Sequence, residues 1–239
     1  MALPKLNNTP YYDIVIPSTG EKTRFRPYLV KEEKVLLIAA ESGDSRSMSE
    51  AMLNIVCECV ETVDRNKLTV FDLDYLFIKL RTKAVGESTS IMMTCSDIDC
   101  GEETEVKVEL ANVALDIPEN KNNMIELGDD MILELKWPTY YDVINDKIIN
   151  NAESNTEIMY QTVMLCLNAL HIKDERMIFA DEPVEDVIEF IGSLTTDQFQ
   201  KLSEYANNIP MVNQEVNFKC QKCDSDNKLN LNGINSFFL

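Results

Sequence analysis

Four of the seven cysteines stand in pairs inside short polar turns: Cys95 and Cys100 in "MMTCSDIDCGEETEVKVEL", Cys220 and Cys223 in "VNFKCQKCDSDNKLNL". In each stretch an alternating, strand-like run leads into the turn and another leads out. Two such knuckles facing each other would offer four thiolates to one ion, the tetrahedral arrangement of a structural zinc site. The second pair has the usual Cys-x2-Cys spacing, and the wider Cys-x4-Cys of the first is still a tolerated ligand spacing. A redox pair is a competing reading, but it needs a helix N-terminus in a βαβ setting, whereas strand-like residues flank this one on both sides. Simple core packing is the other. The two halves are roughly 120 residues apart, far more than in a compact finger, so the site would tie the middle of the chain to its end. Zinc held by four protein ligands has no open position for water; it stabilises a fold and catalyses nothing.

The other cysteines read differently. Cys57 and Cys59 lie in the helical pattern "MSEAMLNIVCECVETV" and Cys166 in "EIMYQTVMLCLNALHI". Residues two apart on a helix point to different sides, so Cys57 and Cys59 make poor joint ligands. A free cysteine packs as a small hydrophobe, and that role is expected for all three.

Catalytic patterns are missing. The single histidine, His171, closes an apolar stretch read as helix, without a serine or cysteine nucleophile nearby, and is expected to be structural. There is no Gly-x-Ser-x-Gly elbow, no His-Glu-x-x-His, and with seven glycines in all, little from which to build a phosphate-cradling loop. Paired acids such as "DLD" (Asp72, Asp74) and "DIDC" (Asp97, Asp99) are common in a chain with 41 carboxylates; they are expected to be solvated surface, and those of "LGDD" to form a turn. No catalytic residue is assigned, and the chain is not expected to be an enzyme.

The acidic balance narrows the partners. With 41 acidic and 22 basic residues the formal net charge is −19, which opposes sequence-independent binding to nucleic acid and to anionic membrane surfaces. The densest basic stretch, "RPYLVKEEK", mixes its bases with acids and reads as a solvated helix face. "MALPKLNNTP" lacks the charged-then-apolar pattern of a secretion signal, and no apolar run reaches spanning length, so a reducing cytoplasm is expected. Seven cysteines in a chain of 239 residues without such a signal do not read as a disulfide framework.

The elements that must carry the knuckles follow from periodicity. "YYDIVIPSTGEKTRF" reads as a hairpin, with Ile14 and Ile16 alternating before Pro-Ser-Thr-Gly and Thr23 and Phe25 after it. "LVKEEKVLLIAAESGD" reads as an amphipathic helix stopped at Gly43, with Leu29, Leu36, Leu37 and Ala40 near one face, and Ser45 or Ser47 is expected to cap the next helix, to about Val63. In "LTVFDLDYLFIKLRTKAVG", Leu73, Leu76, Phe77, Leu80 and Ala84 recur at helical steps, with acids early and bases late as the macrodipole prefers. Strands are expected near 88–94 and 103–110, and a hairpin over 124–137 turning at "LGDD". Helices are expected at "TYYDVINDKI", near 154–170, near 184–194 and at "TTDQFQKLSEYANNI", the last stopped by Pro210; "NKNN" and "INNAES" read as surface loops.

The fold class expected is α+β, a helical body with small antiparallel β-hairpins and a zinc-ribbon-like four-cysteine site. The chain is read as one piece, 1–239, without a forced domain cut. Within it lie a hairpin with helices (1–87), a β-rich region with the first knuckle (88–137), a helical region (138–210) and a C-terminal knuckle with strands (211–239).

Several stretches together resemble a known family. "LPKLNNTPYYDIVIPSTGEKTRFRPYLVKEEKVLLIAAESGD" is similar to the N-terminal signature of the T-even-type contractile-tail bacteriophage baseplate hub family, which groups a hub subunit with a hub assembly catalyst. Its hallmark matches Pro17 to Gly20 followed by Arg26 to Lys34. "FDLDYLFIKLRTKAVGE" (71–87) resembles the family's central helix and "SLTTDQFQKL" (193–202) its late helix, while the cysteine knuckles and the "GINSFF" ending fit many members. The stretch from about 117 to 181 carries no resemblance. The resemblance implies a structural or assembly role in the baseplate hub, in the virion tail or the host cytoplasm during assembly. "Catalyst" in that family denotes an assembly factor. Implied partners are other hub and tail proteins, copies of this chain among the candidates, with no nucleic acid and no membrane. Arg26, Tyr28, Lys31, Glu32 and Lys34 are the candidate contact residues; packing of hairpin against helix is the competing role for the same residues. The alternatives are an assembly chaperone absent from the finished virion and, from another class, a zinc-ribbon nucleic-acid-binding regulator, against which the net charge speaks.

Overall fold

The computed structural model describes residues 9–118, 123–128, 130–145 and 154–237. Among these the chain is α+β, with seven α-helices and small sheets whose strands all pair antiparallel. It forms two compact units, one of residues 1–116 with 211–239, the other of residues 117–210.

The first unit opens with strands β1 (Tyr12–Val15) and β2 (Lys22–Phe25). Their turn closes through Ile16 N–H to Glu21 O (2.9 Å) and Gly20 N–H to Ile16 O (2.8 Å), with Gly20 at φ 74°. The alternation expected from sequence is present: Ile14, Ile16, Thr23 and Phe25 all point inward and are buried. Helices α1 (Val30–Ser42), α2 (Ser45–Cys59) and α3 (Val70–Ala84) follow. Phe25 bridges to Val60 just past α2, fastening the hairpin to the helices.

Two expectations about these helices are corrected. The residue that caps α2 is Asp44, whose carboxylate accepts the N–H groups of Arg46 and Ser47; a charged acceptor at a helix N-terminus also gains from the macrodipole. On α1 the inward residues are Glu32, Leu36 and Ala39, whereas Leu37 is 60% exposed and Ala40 faces solvent. Glu32 sets that phase. Its carboxylate takes the Leu29 N–H at 2.8 Å and the Arg26 guanidinium at 2.9 Å, so it must face the hairpin. On α3, by contrast, Leu73, Leu76, Phe77 and Leu80 form the expected core stripe.

Strands β3 (Ser88–Thr94) and β4 (Glu103–Glu109) pair over their full length, with Ile91, Met93, Thr104, Val106 and Val108 inward and charged residues of β4 outward. The short β5 (Ala114–Leu115) pairs with β10 (Val212–Lys219), which pairs with β11 (Asp226–Asn232). A 3-10 turn at Ile234–Phe237 ends the described chain, with Phe237 fully buried.

The second unit holds a four-stranded meander: β6 (Met124–Gly128), β7 (Met131–Leu135), β8 (Leu167–Ile172) and β9 (Glu175–Ile178). It also holds α4 (Tyr140–Asn145), α5 (Asn155–Cys166), α6 (Val184–Ser193) and α7 (Thr196–Asn207). Leu133, Leu135, Val163, Leu170, Ile191 and Leu202 are central to its core. Thr195 caps α7 through a capping box with Gln198, as the paired threonines suggested. The helix expected near 154–170 stops at Cys166, and Leu167–Ile172 continue as β8. In "MLCLNALHI" the polar residues Asn168 and His171 are too few to fix a helical or a strand phase; pairing with β7 and β9 decides it. "NKNN" and "INNAES" fall mostly outside the described residues.

Candidate metal centre

The β3–β4 turn brings Cys95 and Cys100 to one place, and the β10–β11 turn brings Cys220 and Cys223 to the same place. The two knuckles share a local design. Cys95 N–H reaches past its partner cysteine to Glu102 O (2.8 Å), and Cys220 N–H does the same to Ser225 O (2.9 Å). In each knuckle the residue after the second cysteine takes a left-handed backbone, Gly101 at φ 56° and Asp224 at φ 58°. Glycine does this without steric cost and aspartate tolerates it, so the chain can reverse right after presenting its sulfur. The two extra residues of the first knuckle are absorbed by Asp97, whose carbonyl accepts the N–H groups of Cys100 and Gly101.

The four sulfurs lie within 4.8 Å of one another, with Cys95 Sγ to Cys223 Sγ and Cys100 Sγ to Cys220 Sγ both at 3.7 Å. Those two contacts are far beyond a disulfide bond of about 2.05 Å. Tetrahedral ligation with zinc–sulfur bonds of about 2.3 Å puts sulfurs about 3.8 Å apart, so the donor set has the size and chemistry of a four-thiolate metal site. Thiol acidity is uneven across it. The Cys223 and Lys222 N–H groups donate toward Cys220 and bring its thiol down to about 6. At Cys100 the Glu102 N–H favours the thiolate, but desolvation and the sulfurs of Cys223 and Cys220 outweigh it and push the thiol up to about 12.

The remaining cysteines stay apart from this cluster. Cys59 and Cys166 are buried, and burial pushes their thiols up to about 11 and about 12; Cys57 is half-buried and also raised by burial. His171 sits on β8, not at a helix end, with Nε2 2.8 Å from Glu134 Oε2; Arg176 and Asn168 donate to the same carboxylate. A cleft of about 1240 Å³ in the second unit, lined among others by Lys136, Trp137, Asn168 and Tyr205, shows no serine, threonine, cysteine or histidine among its described lining residues.

The candidate contact residues divide. Arg26, Tyr28 and Glu32 are built into the hairpin–helix junction: Arg26 and Glu32 form an ion pair with side chains 14% and 7% exposed, and Tyr28 is buried with its ring stacked near Phe77 at 6.4 Å. Lys31 and Lys34 face solvent, Lys31 also pairing with Glu32 at 3.1 Å. Around them α1 shows Val30 at 79%, Leu37 at 60% and Ile38 at 57% exposure; Val30 lies seven residues before Leu37, and Lys34 lies four after Val30 and four before Ile38, so they share one outward arc.

Two residues from "DLD", expected to be solvated surface, are buried instead. Asp72 is fully enclosed and accepts Ser18 N–H (2.9 Å), Thr69 N–H (3.1 Å) and Thr69 Oγ–H (2.7 Å). Asp74 is 9% exposed and accepts the N–H of Ile234 in the C-terminal turn. The capping pattern Thr-x-x-Asp could have flagged Asp72; nothing local flags Asp74.

In comparison with known proteins, the family model described as T4 bacteriophage base plate protein aligns with residues 9–239. No curated protein and no solved structure matches. Among the described residues no helix is long and apolar enough to cross a membrane.

Proposed function

The chain belongs to the T4 bacteriophage base plate protein family, and on that premise we propose that it is a structural component of the baseplate hub of a contractile tail. It acts through contacts with other hub and tail proteins and makes or breaks no covalent bond. The family match over nearly the whole chain carries this reading. Pro17–Gly20 and Arg26–Lys34 support the hub assignment within it, by their resemblance to the hub signature. The outward arc of α1 is the contact surface: Val30, Leu37 and Ile38 supply apolar area, and Lys31 and Lys34 border it. Arg26, Tyr28 and Glu32 hold that helix in place beneath it.

Cys95, Cys100, Cys220 and Cys223 bind one zinc ion as a structural site. The support is the donor set and its spacing, 3.7 Å across two of the sulfur pairs. The ion would supply a cross-link between turns 120 residues apart in the chain, between Cys100 and Cys220, and closing so long a loop restricts the unfolded chain strongly.

Mass spectrometry of purified particles tests the role. Recovery of the chain at a fixed stoichiometry with other tail proteins is the expected result. Its absence from particles, with presence in assembly intermediates, would replace the structural role by that of an assembly factor that leaves.

A further inference from the structure

The two knuckles are joined by more than their sulfurs. The buried Asn227, 3% exposed on β11, accepts from Ser96 N–H (2.8 Å) and Ser96 Oγ–H (2.6 Å) through Oδ1, and donates from Nδ2 to Ser225 O (2.9 Å). Ser96 follows Cys95 directly, and Ser225 carries the carbonyl that closes the second knuckle onto Cys220. One amide therefore grips the first knuckle beside a ligand and braces the second at its closing bond. The main-chain donor and acceptor it meets fix which way the amide points. The other bridges between the knuckles are weaker: Lys222 to Glu102 (3.0 Å) is an exposed ion pair, and Ser225 Oγ to Asp97 Oδ2 is long at 3.4 Å.

We infer that Asn227 is a positioning residue for the metal centre, holding the two knuckles in register so that four thiolates converge on one tetrahedral, thiophilic divalent ion. The inference rests on the zinc reading above. The two turns belong to hairpins far apart in the sequence, and the Asn227 bonds to Ser96 and Ser225 join them directly beside the ligands, so the donor set is ordered by a contact outside the sulfurs themselves. An amide does this without adding charge to a tetrathiolate. Aspartate at this position would keep the acceptor, lose the donor to Ser225 O, and add a negative charge.

The test is zinc and cobalt(II) affinity of the full chain, read by competition with a chromophoric chelator. The wild-type protein is expected to take up one ion. Asn227→Ala should bind 10- to 100-fold more weakly, the range typical of residues that orient metal ligands, while its saturated cobalt spectrum remains that of four thiolates. Ser96→Ala should give a smaller loss, and Ser96→Thr, which keeps the hydroxyl, should restore wild-type affinity. Val216→Ala, in the neighbouring strand, lowers stability without touching the bridge and should leave affinity unchanged. Wild-type affinity in Asn227→Ala overturns the inference while leaving the zinc site intact, as does an equal loss in Val216→Ala. If Asn227→Ala does not fold, Ser96→Ala decides, and unchanged affinity there overturns it. A wild-type protein that binds no ion overturns the zinc reading itself, and this inference with it.

Discussion

The main-chain N–H of Ser18 donates to Oδ1 of Asp72 at 2.9 Å, across 54 residues of sequence. The turn of the first hairpin is thereby bound to the first turn of α3, and the same carboxylate completes the capping box with Thr69. Asp72→Ala removes the carboxylate that accepts from the Ser18 and Thr69 N–H groups and from the Thr69 hydroxyl, at a position that is itself fully buried. The expected cost is about 3 kcal/mol of unfolding free energy, read from urea denaturation. A loss below about 1 kcal/mol would show that the turn and helix hold together without this carboxylate.

Asp74 and Glu32 give the protein opposite responses to pH. Burial pushes the Asp74 carboxyl up to about 7, only partly offset by the Ile234 N–H. Its folded form therefore binds protons that the unfolded chain has released, and stability falls as pH rises from about 4 to about 7. Asp74→Asn should be more stable than wild type by a few kcal/mol at pH 8, with the difference shrinking toward pH 4. Glu32 works the other way. Burial opposes its charge, but Arg26, the Leu29 N–H and Lys31 bring its carboxyl down to about 2, so its contribution is present above about pH 4.5 and lost as pH falls through 2. Thermal melts of wild type and Asp74→Asn between pH 4 and 8 check the first sign; parallel curves would contradict it.

Elemental analysis is expected to find one zinc per chain. Cys220→Ser should abolish most of that uptake, and chelation of the wild-type protein should lower its melting temperature by on the order of 5–10 °C. Cys166→Ser, at a buried site in the other unit, should leave zinc content unchanged. Equal zinc content in Cys220→Ser and wild type would remove the ion from this place.

Leu37→Glu combined with Ile38→Glu replaces exposed apolar area on α1 with helix-compatible charge. Stability should change by no more than about 0.5 kcal/mol, because neither side chain is buried. Incorporation into particles, measured by complementing a phage that lacks the wild-type chain, should fall at least tenfold. Normal incorporation would move the contact surface elsewhere on the protein.

Local chemistry made much of this molecule legible. The first hairpin, the stripe of α3, the alternation of β3 and β4, the Thr195 cap and the two knuckles are each specified by neighbours within a few residues, through side-chain period, turn chemistry or capping geometry. The cysteine types and spacings also marked which four residues could hold a metal ion if the two halves met. Other features depend on partners distant in sequence. Whether Cys95 meets Cys223 rests on how β3–β4 packs near β10–β11, 128 residues on. The face that α1 turns inward follows from Glu32 reaching Arg26 across a proline, and the fate of Leu167–Ile172 follows from the strands waiting on either side. Asp72 and Asp74 look like two surface acids until the hairpin turn and the last residues of the chain arrive to supply their hydrogen bonds. Periodicity reports the preference of a segment for burial, and only the folded chain decides which groups share that burial and satisfy one another.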